Sequence, residues 1–213
     1  MGNNLRHLNR YLHGLALAGV IGLSACQTGP VANSGRQEIE SVPGAVSYSE
    51  SFSGQGDLLI EARNRLAKRD FAGAEKIYRE VISLEPGNAP GYIGLASCRV
   101  LQNDFDAAEQ NYRRALELDK KSTMAVLGLG TVATYRGRYE EAAKFYRQAL
   151  EIDPSNADAH WGAALAYDQA GNEKEAREHY QKFLQLAPNS GQAPQARLNL
   201  ARLGKAPSKP AAR

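Results

Sequence analysis

The chain has 213 residues, 43% of them hydrophobic and 23% charged, with a formal net charge of +3. That composition suits a globular domain with a real core and excludes collagen-like, low-complexity and wholly disordered chains. Arg6 and Arg10 fall in an N-terminal leader without an acid, and the remainder holds 24 basic against 23 acidic residues, too even a balance to form an electrostatic footprint for nucleic acid.

Residues 1–25 read as a signal peptide. Arg6, His7 and Arg10 make a positive start, and Leu12 to Leu23 make an apolar run broken only by His13 and glycines. An apolar core of about ten residues is too short to span a bilayer of roughly 30 Å as a helix. Met1-Gly2 does not signal myristoylation, because the sixth residue is Arg6 rather than Ser or Thr. The leader ends in Leu23-Ser24-Ala25-Cys26. This resembles the lipobox of bacterial lipoproteins: an aliphatic residue, two small ones that let a peptidase approach the backbone, then a cysteine. The resemblance implies lipidation of Cys26 on sulfur (the palmitate-type anchor) and cleavage before it. Gln27, where the sorting rule of diderm bacteria places Asp for inner-membrane retention, implies an outer-membrane location facing the periplasm.

Residues 26–54 hold the lipidated cysteine and then a stretch rich in Ser, Gly and Pro without helical or strand period. It reads as a disordered tether, with a reach on the order of 30 Å as a flexible coil.

From residue 55 the sequence repeats every 34 residues. Tyr78, Tyr112, Tyr146 and Tyr180 share one place, as do Ala74, Ala108, Ala142 and Ala176. Ala62, Ala96, Gly130 and Ala164 share another, and Pro86, Pro154 and Pro188 a fourth, with Lys120 as the exception. A fixed period in this range marks an array of units, none of which buries its own apolar face alone. The windows 55–88, 89–122, 123–156 and 157–190 resemble tetratricopeptide repeats (TPR). The first is the poorest, with Glu61 and Arg65 where Leu and Tyr are usual. The resemblance implies an all-α, right-handed TPR solenoid of four helix-turn-helix repeats.

Each repeat should hold two helices; in the third, Ala125–Tyr135 and Glu140–Ile152, with Gly137 suited to the left-handed turn between them. Asn88, Ser122, Asn156 and Ser190 close the four windows and are good N-caps for the next helix; Asp70, Asp104 and Asn172 can cap the second helices, and Arg138 breaks that pattern. Residues 191–204 leave the period and read as a C-terminal capping helix, entered at Pro194, carrying Leu198, Leu200 and Leu203 and ended by Gly204. The tail 205–213 is basic, rich in Pro and Ala, and reads as disordered.

In the TPR family the first helices line a concave groove. The matching places give an apolar stripe of Leu59, Ile93, Leu127 and Trp161, rimmed by Arg63, Ser97, Val100, Thr131, Thr134, Tyr135, Leu165, Asp168 and Gln169. Chaperone-binding relatives carry Lys, Asn and Arg there to clamp a terminal carboxylate; this groove has Arg63 alone. An apolar stripe with a polar rim suits an amphipathic helix or an extended apolar peptide. Trp161 either anchors a partner, as Trp does at hot spots, or packs into the core.

Catalysis finds no support. Past the leader only His160 and His179 remain as histidines, on the two helices of one repeat, without a completing metal ligand. GxxxxGK[ST] and HExxH are absent, and Cys98 reads as a buried, inert thiol. No metal, cofactor or enzymatic activity is expected. The layout resembles lipoproteins that assist outer-membrane machines, including pilotins and Tad/Flp pilus lipoproteins. It implies a membrane-anchored interaction scaffold whose protein partner is a secretin or pilus-assembly subunit. An adaptor for cell-wall hydrolases or synthases is the alternative, and a regulatory or catalytic subunit a further one.

Overall fold

The structure, a computed structural model, describes residues 48–204. The leader, Cys26, the segment up to residue 47 and the tail 205–213 lie outside the described residues. Within them the chain forms nine α-helices and no strand: α1 (Tyr48–Ala67), α2 (Phe71–Leu84), α3 (Ala89–Leu101), α4 (Phe105–Leu118), α5 (Thr123–Tyr135), α6 (Tyr139–Ile152), α7 (Ala157–Gln169), α8 (Glu173–Leu186) and α9 (Ala193–Leu203). Helices α1/α2, α3/α4, α5/α6 and α7/α8 are the four repeats, and α9 packs on α8 as the closing helix. This is the all-α TPR solenoid. Each helix packs on its chain neighbours, and α1, α3, α5 and α7 also touch in succession.

Helix α1 begins at Tyr48 rather than at residue 55, so residues 48–54, expected in the tether, are helical. The buried Ala62 and Leu66 hold the C-terminal half of α1, and extending a helix costs far less than nucleating one. No proline intervenes downstream of Pro43 to stop it.

The caps mostly follow the sequence. Asn88, Ser122 and Asn156 accept hydrogen bonds from Gly91 N (2.8 Å), Ala125 N (3.4 Å) and Ala159 N (2.9 Å). Asp70 and Asp104 accept from Gly73 N (2.9 Å) and Ala107 N (3.3 Å). Two expectations are corrected. Asn172 makes no side-chain cap bond. Ser190 does not cap α9, which starts two residues later than the repeat would place it, after Gln192; its hydroxyl is enclosed without a partner among the described residues. The turn inside every repeat is left-handed at one place, with φ of 63° at Arg69, 62° at Asn103, 71° at Gly137 and 81° at Gly171.

The repeats are locked by tyrosine on glycine. A Cβ on Gly94 would lie 2.1 Å from the Tyr78 ring, on Gly128 2.3 Å from Tyr112, and on Gly162 2.4 Å from Tyr146. Each tyrosine thus leaves the second helix of one repeat and lies flat on the first helix of the next, where only glycine leaves room. Ala196 of α9 takes the corresponding place in the cluster around Tyr180. Ion pairs tie the outer edge of the first repeats: Glu75 with Arg79 (2.6 Å) and Arg99 (2.8 Å), and Glu109 with Arg113 (2.8 Å), Arg138 (3.0 Å) and Arg136 (3.3 Å). The Arg113 hydrogen bond, then Arg138, holds the Glu109 carboxyl below its ordinary range against the opposing effect of burial.

Two alanine substitutions separate packing from backbone strain. Nothing lies within 4 Å of a Cβ on Gly137, so Gly137→Ala should cost only the left-handed penalty, about 1–2 kcal/mol. Gly128→Ala drives a Cβ into Tyr112 at a buried seam and should cost about 1–3 kcal/mol, together with loss of the Ser97–Tyr112 geometry. Thermal melts should show the larger fall in melting temperature for Gly128→Ala; the reverse order would argue against the ring-on-glycine lock.

Candidate functional site

The concave face opens at its N-terminal end. A groove of about 310 Å³ is lined by Leu59 and Arg63 of α1, Tyr78 of α2, Ala89, Pro90, Ile93, Gly94 and Ser97 of α3, and Asp119, Ser122 and Met124 at the entry to α5. It brings together four of the predicted groove residues: Leu59, Arg63, Ile93 and Ser97. Tyr78 and Ser122 read in the sequence as a repeat tyrosine and a helix cap rather than as groove residues, and Gly94, Gly128 and Gly162, which stand 34 apart, mark the seam without pointing to the groove.

The polar groups of the groove differ from those deeper in the array. Ser97 is buried, donates to Ile93 O (2.8 Å) and shares a hydrogen bond with the Tyr112 hydroxyl (3.1 Å). In the third repeat Thr131 and Thr134 meet the Tyr146 hydroxyl at 3.5 and 3.4 Å. In the fourth, Tyr180 donates to Asp168 Oδ2 (3.2 Å) and accepts from Asn199 (2.7 Å). In the first repeat the matching places hold Arg63, which only donates, and Leu66, which does neither. The Tyr78 hydroxyl accordingly has no hydrogen-bond partner among the described residues. The residue is only 2% exposed, and burial pushes its hydroxyl pKa up. The Arg63 side chain is exposed; its Nε donates to Leu59 O at 3.2 Å, and no described carboxylate pairs with it.

The C-terminal half does not present the expected stripe. Trp161 is 1% exposed and packs on Tyr180 (5.7 Å between ring centroids) and Phe183 (5.2 Å) of its own repeat. It is a core residue, not an exposed anchor, because α8 turns two aromatic rings toward it. Leu127, Thr131, Thr134 and Leu165 are likewise buried, as are Ile93, Ser97 and Val100 of the second repeat. Asp168 is tied to Arg202 and Tyr180, so α9 satisfies the one acid of the rim. Tyr135 is half-buried and stacks on Phe105, and Gln169 is exposed.

His160 and His179 do meet. Their Nδ1 atoms are 3.0 Å apart, and His160 Nε2 lies 3.2 Å from Pro154 O. A carbonyl only accepts, so His160 carries its proton on Nε2 when neutral. Its Nδ1 then accepts from His179 Nδ1–H. Tyr167 stacks on the His179 ring. Burial lowers both pKa values, that of His179 to about 4 with His160 adding to the fall. Among the described residues no group of three or more His, Cys, Asp or Glu side chains is placed to hold a metal ion. Burial, with the nearby Glu75 charge second, raises the Cys98 thiol to about 12, which keeps it protonated and unreactive. No helix among the described residues is long and apolar enough to cross a membrane.

The family model of the cilia and flagella-associated protein 70 middle TPR-like domain matches residues 58–193. The chain belongs to this family of TPR-like domains. No curated protein matches the sequence. Among solved structures it is similar to PilF of Pseudomonas aeruginosa, at 21% identity over 73% of this chain and 69% of that one, with a TM-score of 0.67. It is similar to the thermophilic TPR protein TTC0263 of Thermus thermophilus at 17% identity over 70% and 80%, with a TM-score of 0.61. The Arabidopsis OM64 TPR domain is 28% identical over 55% of this chain and 96% of its own, with a TM-score of 0.51.

Two outcomes follow from these placements. Trp161→Ala should destabilise the fold by about 3–5 kcal/mol in denaturant titration, the cost of emptying a buried aromatic site; a change under about 1 kcal/mol would contradict its core role. The histidine pair should make stability depend on pH. Its folded pKa values lie below the ordinary 6.5, so the unfolded chain takes up protons first as pH falls. Stability is fully present above about pH 6.5 and should decline toward pH 4. His179→Gln should flatten that slope in melts between pH 7 and 4.5, and an unchanged slope would exclude the pair as its source.

Proposed function

We propose that this TPR scaffold is anchored by lipid on Cys26 to the outer membrane, faces the periplasm, and assists assembly of an envelope machine such as a pilus or secretin. By its fold the chain is a TPR-type scaffold for protein partners. The observation that carries the finer reading is one of layout. A leader ending in Leu23-Ser24-Ala25-Cys26 precedes a four-repeat solenoid whose groove lies at the first repeat, the one next to the leader in sequence. An anchor there would present the open groove to membrane-associated subunits. The fold likeness to PilF is compatible with this reading.

Cys26→Ser tests the anchor. The wild-type chain should incorporate labelled palmitate and sediment with outer membranes, and the variant should do neither. Equal membrane partitioning of the two would refute the anchor. Pull-down from detergent-solubilised membranes tests the role: recovery of a secretin or pilus subunit supports it, whereas recovery of a cell-wall hydrolase or synthase would transfer the scaffold to that machinery.

A further inference from the structure

The groove contains two hydrogen-bonding groups, a phenol and a guanidinium, whose capacity the described residues leave largely unused. Three of the four repeat tyrosines spend their hydroxyls on side chains at matching places: Tyr112 on Ser97, Tyr146 on Thr131 and Thr134, Tyr180 on Asp168 and Asn199. Tyr78 has no such partner among the described residues, although it is 2% exposed and lines the groove. Its oxygen is not among the fully enclosed unpaired atoms, so the groove is its way out to an outside acceptor. An almost buried hydroxyl without a protein partner turns to what the groove holds, water or a bound acceptor. Arg63 lines the same groove, close enough for its charge to act on the Tyr78 hydroxyl. A guanidinium beside a phenol, both donating, matches a carboxylate.

The remaining walls narrow the choice. Leu59, Ile93 and the exposed Met124 are apolar, so the group next to the carboxylate must be apolar too. Asp119 stands at the rim with its Oδ1 already accepting from Lys121 N at 3.0 Å; it repels a second acid and disfavours a run of acidic residues. The volume of about 310 Å³ sits at the lower edge of small-molecule sites, roughly 300–1,000 Å³, and suits one or two side chains rather than a whole helix.

We infer that this end of the groove reads a single acidic side chain of a partner protein, its carboxylate held by the Tyr78 hydroxyl and the Arg63 guanidinium and an adjacent apolar side chain packed on Leu59, Ile93 and Met124. The inference rests on the scaffold reading and adds the chemistry that the partner segment must carry. It differs from a clamp built of Lys, Asn and Arg, because its buried donor is a repeat tyrosine freed by the lack of an acceptor in its own repeat.

Isovalerate, a carboxylate on a branched apolar body, and its neutral counterpart isovaleramide are the probes. Titrated into the isotopically labelled full chain in mild detergent, isovalerate should shift the signals of Tyr78, Ile93 and Arg63 saturably. Isovaleramide should bind about tenfold more weakly, the loss of a charged hydrogen-bonding group. Tyr78→Phe keeps the ring on Gly94, and Arg63→Gln alters an exposed side chain, so both variants should keep the dispersed wild-type spectrum. Each should weaken isovalerate about tenfold and isovaleramide by less, since the neutral amide oxygen accepts the same hydrogen bonds without the charge. Equal affinity for acid and amide, or indifference to both variants, overturns the site. Glu38 and Glu40 of the stretch before α1 are the chain's own competing carboxylates; silence of the wild type with uptake by Glu38→Gln/Glu40→Gln would show that stretch in the groove and overturn the partner assignment. Silence of both overturns the site itself. The pull-down is scored separately. A partner recovered equally by wild type and by Arg63→Gln/Tyr78→Phe sinks this site and leaves the scaffold standing. No partner recovered by the wild type sinks the scaffold reading, while the titration still decides the site.

Discussion

The contact on which the array depends is a tyrosine ring lying on a glycine of the following helix. Tyr78 on Gly94, Tyr112 on Gly128 and Tyr146 on Gly162 carry the solenoid from one repeat to the next. A large ring against a bare backbone brings second and first helices close enough to bury both. It explains why the small residues and the tyrosines keep one spacing while the rest of each repeat varies. It also sets the ends of the array. At the place where α3, α5 and α7 have glycine, α1 has Ile60, which is exposed; a further repeat in front would drive its tyrosine into that side chain. At the other end Ala196 closes over Tyr180, and α9 offers no tyrosine onward.

The same tyrosines carry a hydroxyl into the concave side, and each repeat must do something with it. A buried hydroxyl without a partner costs on the order of 1–3 kcal/mol, so this choice decides where the array is closed. The second and third repeats answer with Ser97, Thr131 and Thr134. The fourth answers with Asp168 and with Asn199 of the closing helix, and Arg202 then neutralises Asp168. These bonds engage the tyrosine hydroxyls of the second, third and fourth repeats. The first repeat has no acceptor to offer, and its tyrosine hydroxyl is the one left without a side-chain partner among the described residues.

Much of this was legible in the sequence. The 34-residue period identified the helical pairs, the caps at Asn88, Ser122 and Asn156 were readable as cap chemistry, and the left-handed turn was visible at Gly137. What was not legible depended on neighbours. Trp161 sits on the same line as Leu59 and Ile93, but periodicity cannot show that α8 brings Tyr180 and Phe183 against it. Ser190 has the right identity for a cap, yet the two-residue delay before α9 takes it out of register. The Tyr78 hydroxyl lies between these cases. Arg63 and Leu66 were in plain view, but their significance needs the contacts of Tyr112, Tyr146 and Tyr180 to show what those places normally do.

A repeat protein built from equal units would offer a partner the same surface at every step. Here the unequal residues at two places per repeat, Arg63/Leu66 against Ser97/Val100, Thr131/Thr134 and Leu165/Asp168, turn the concave face into a gradient. In the later repeats the tyrosine hydroxyls bond to side chains of the array itself. The first repeat keeps a groove, with a cation and a hydroxyl that no described side chain engages. Specificity follows from that asymmetry. A segment with apolar side chains alone would leave the nearly buried Tyr78 hydroxyl without an acceptor, and a strongly acidic one would meet Asp119. The Ser-and-Thr half gives such a segment no alternative site of similar chemistry, since its tyrosine hydroxyls are already bonded. Orientation and register of a bound chain are therefore set at one end of the solenoid, and the closed repeats act as the rigid frame that holds that end in shape.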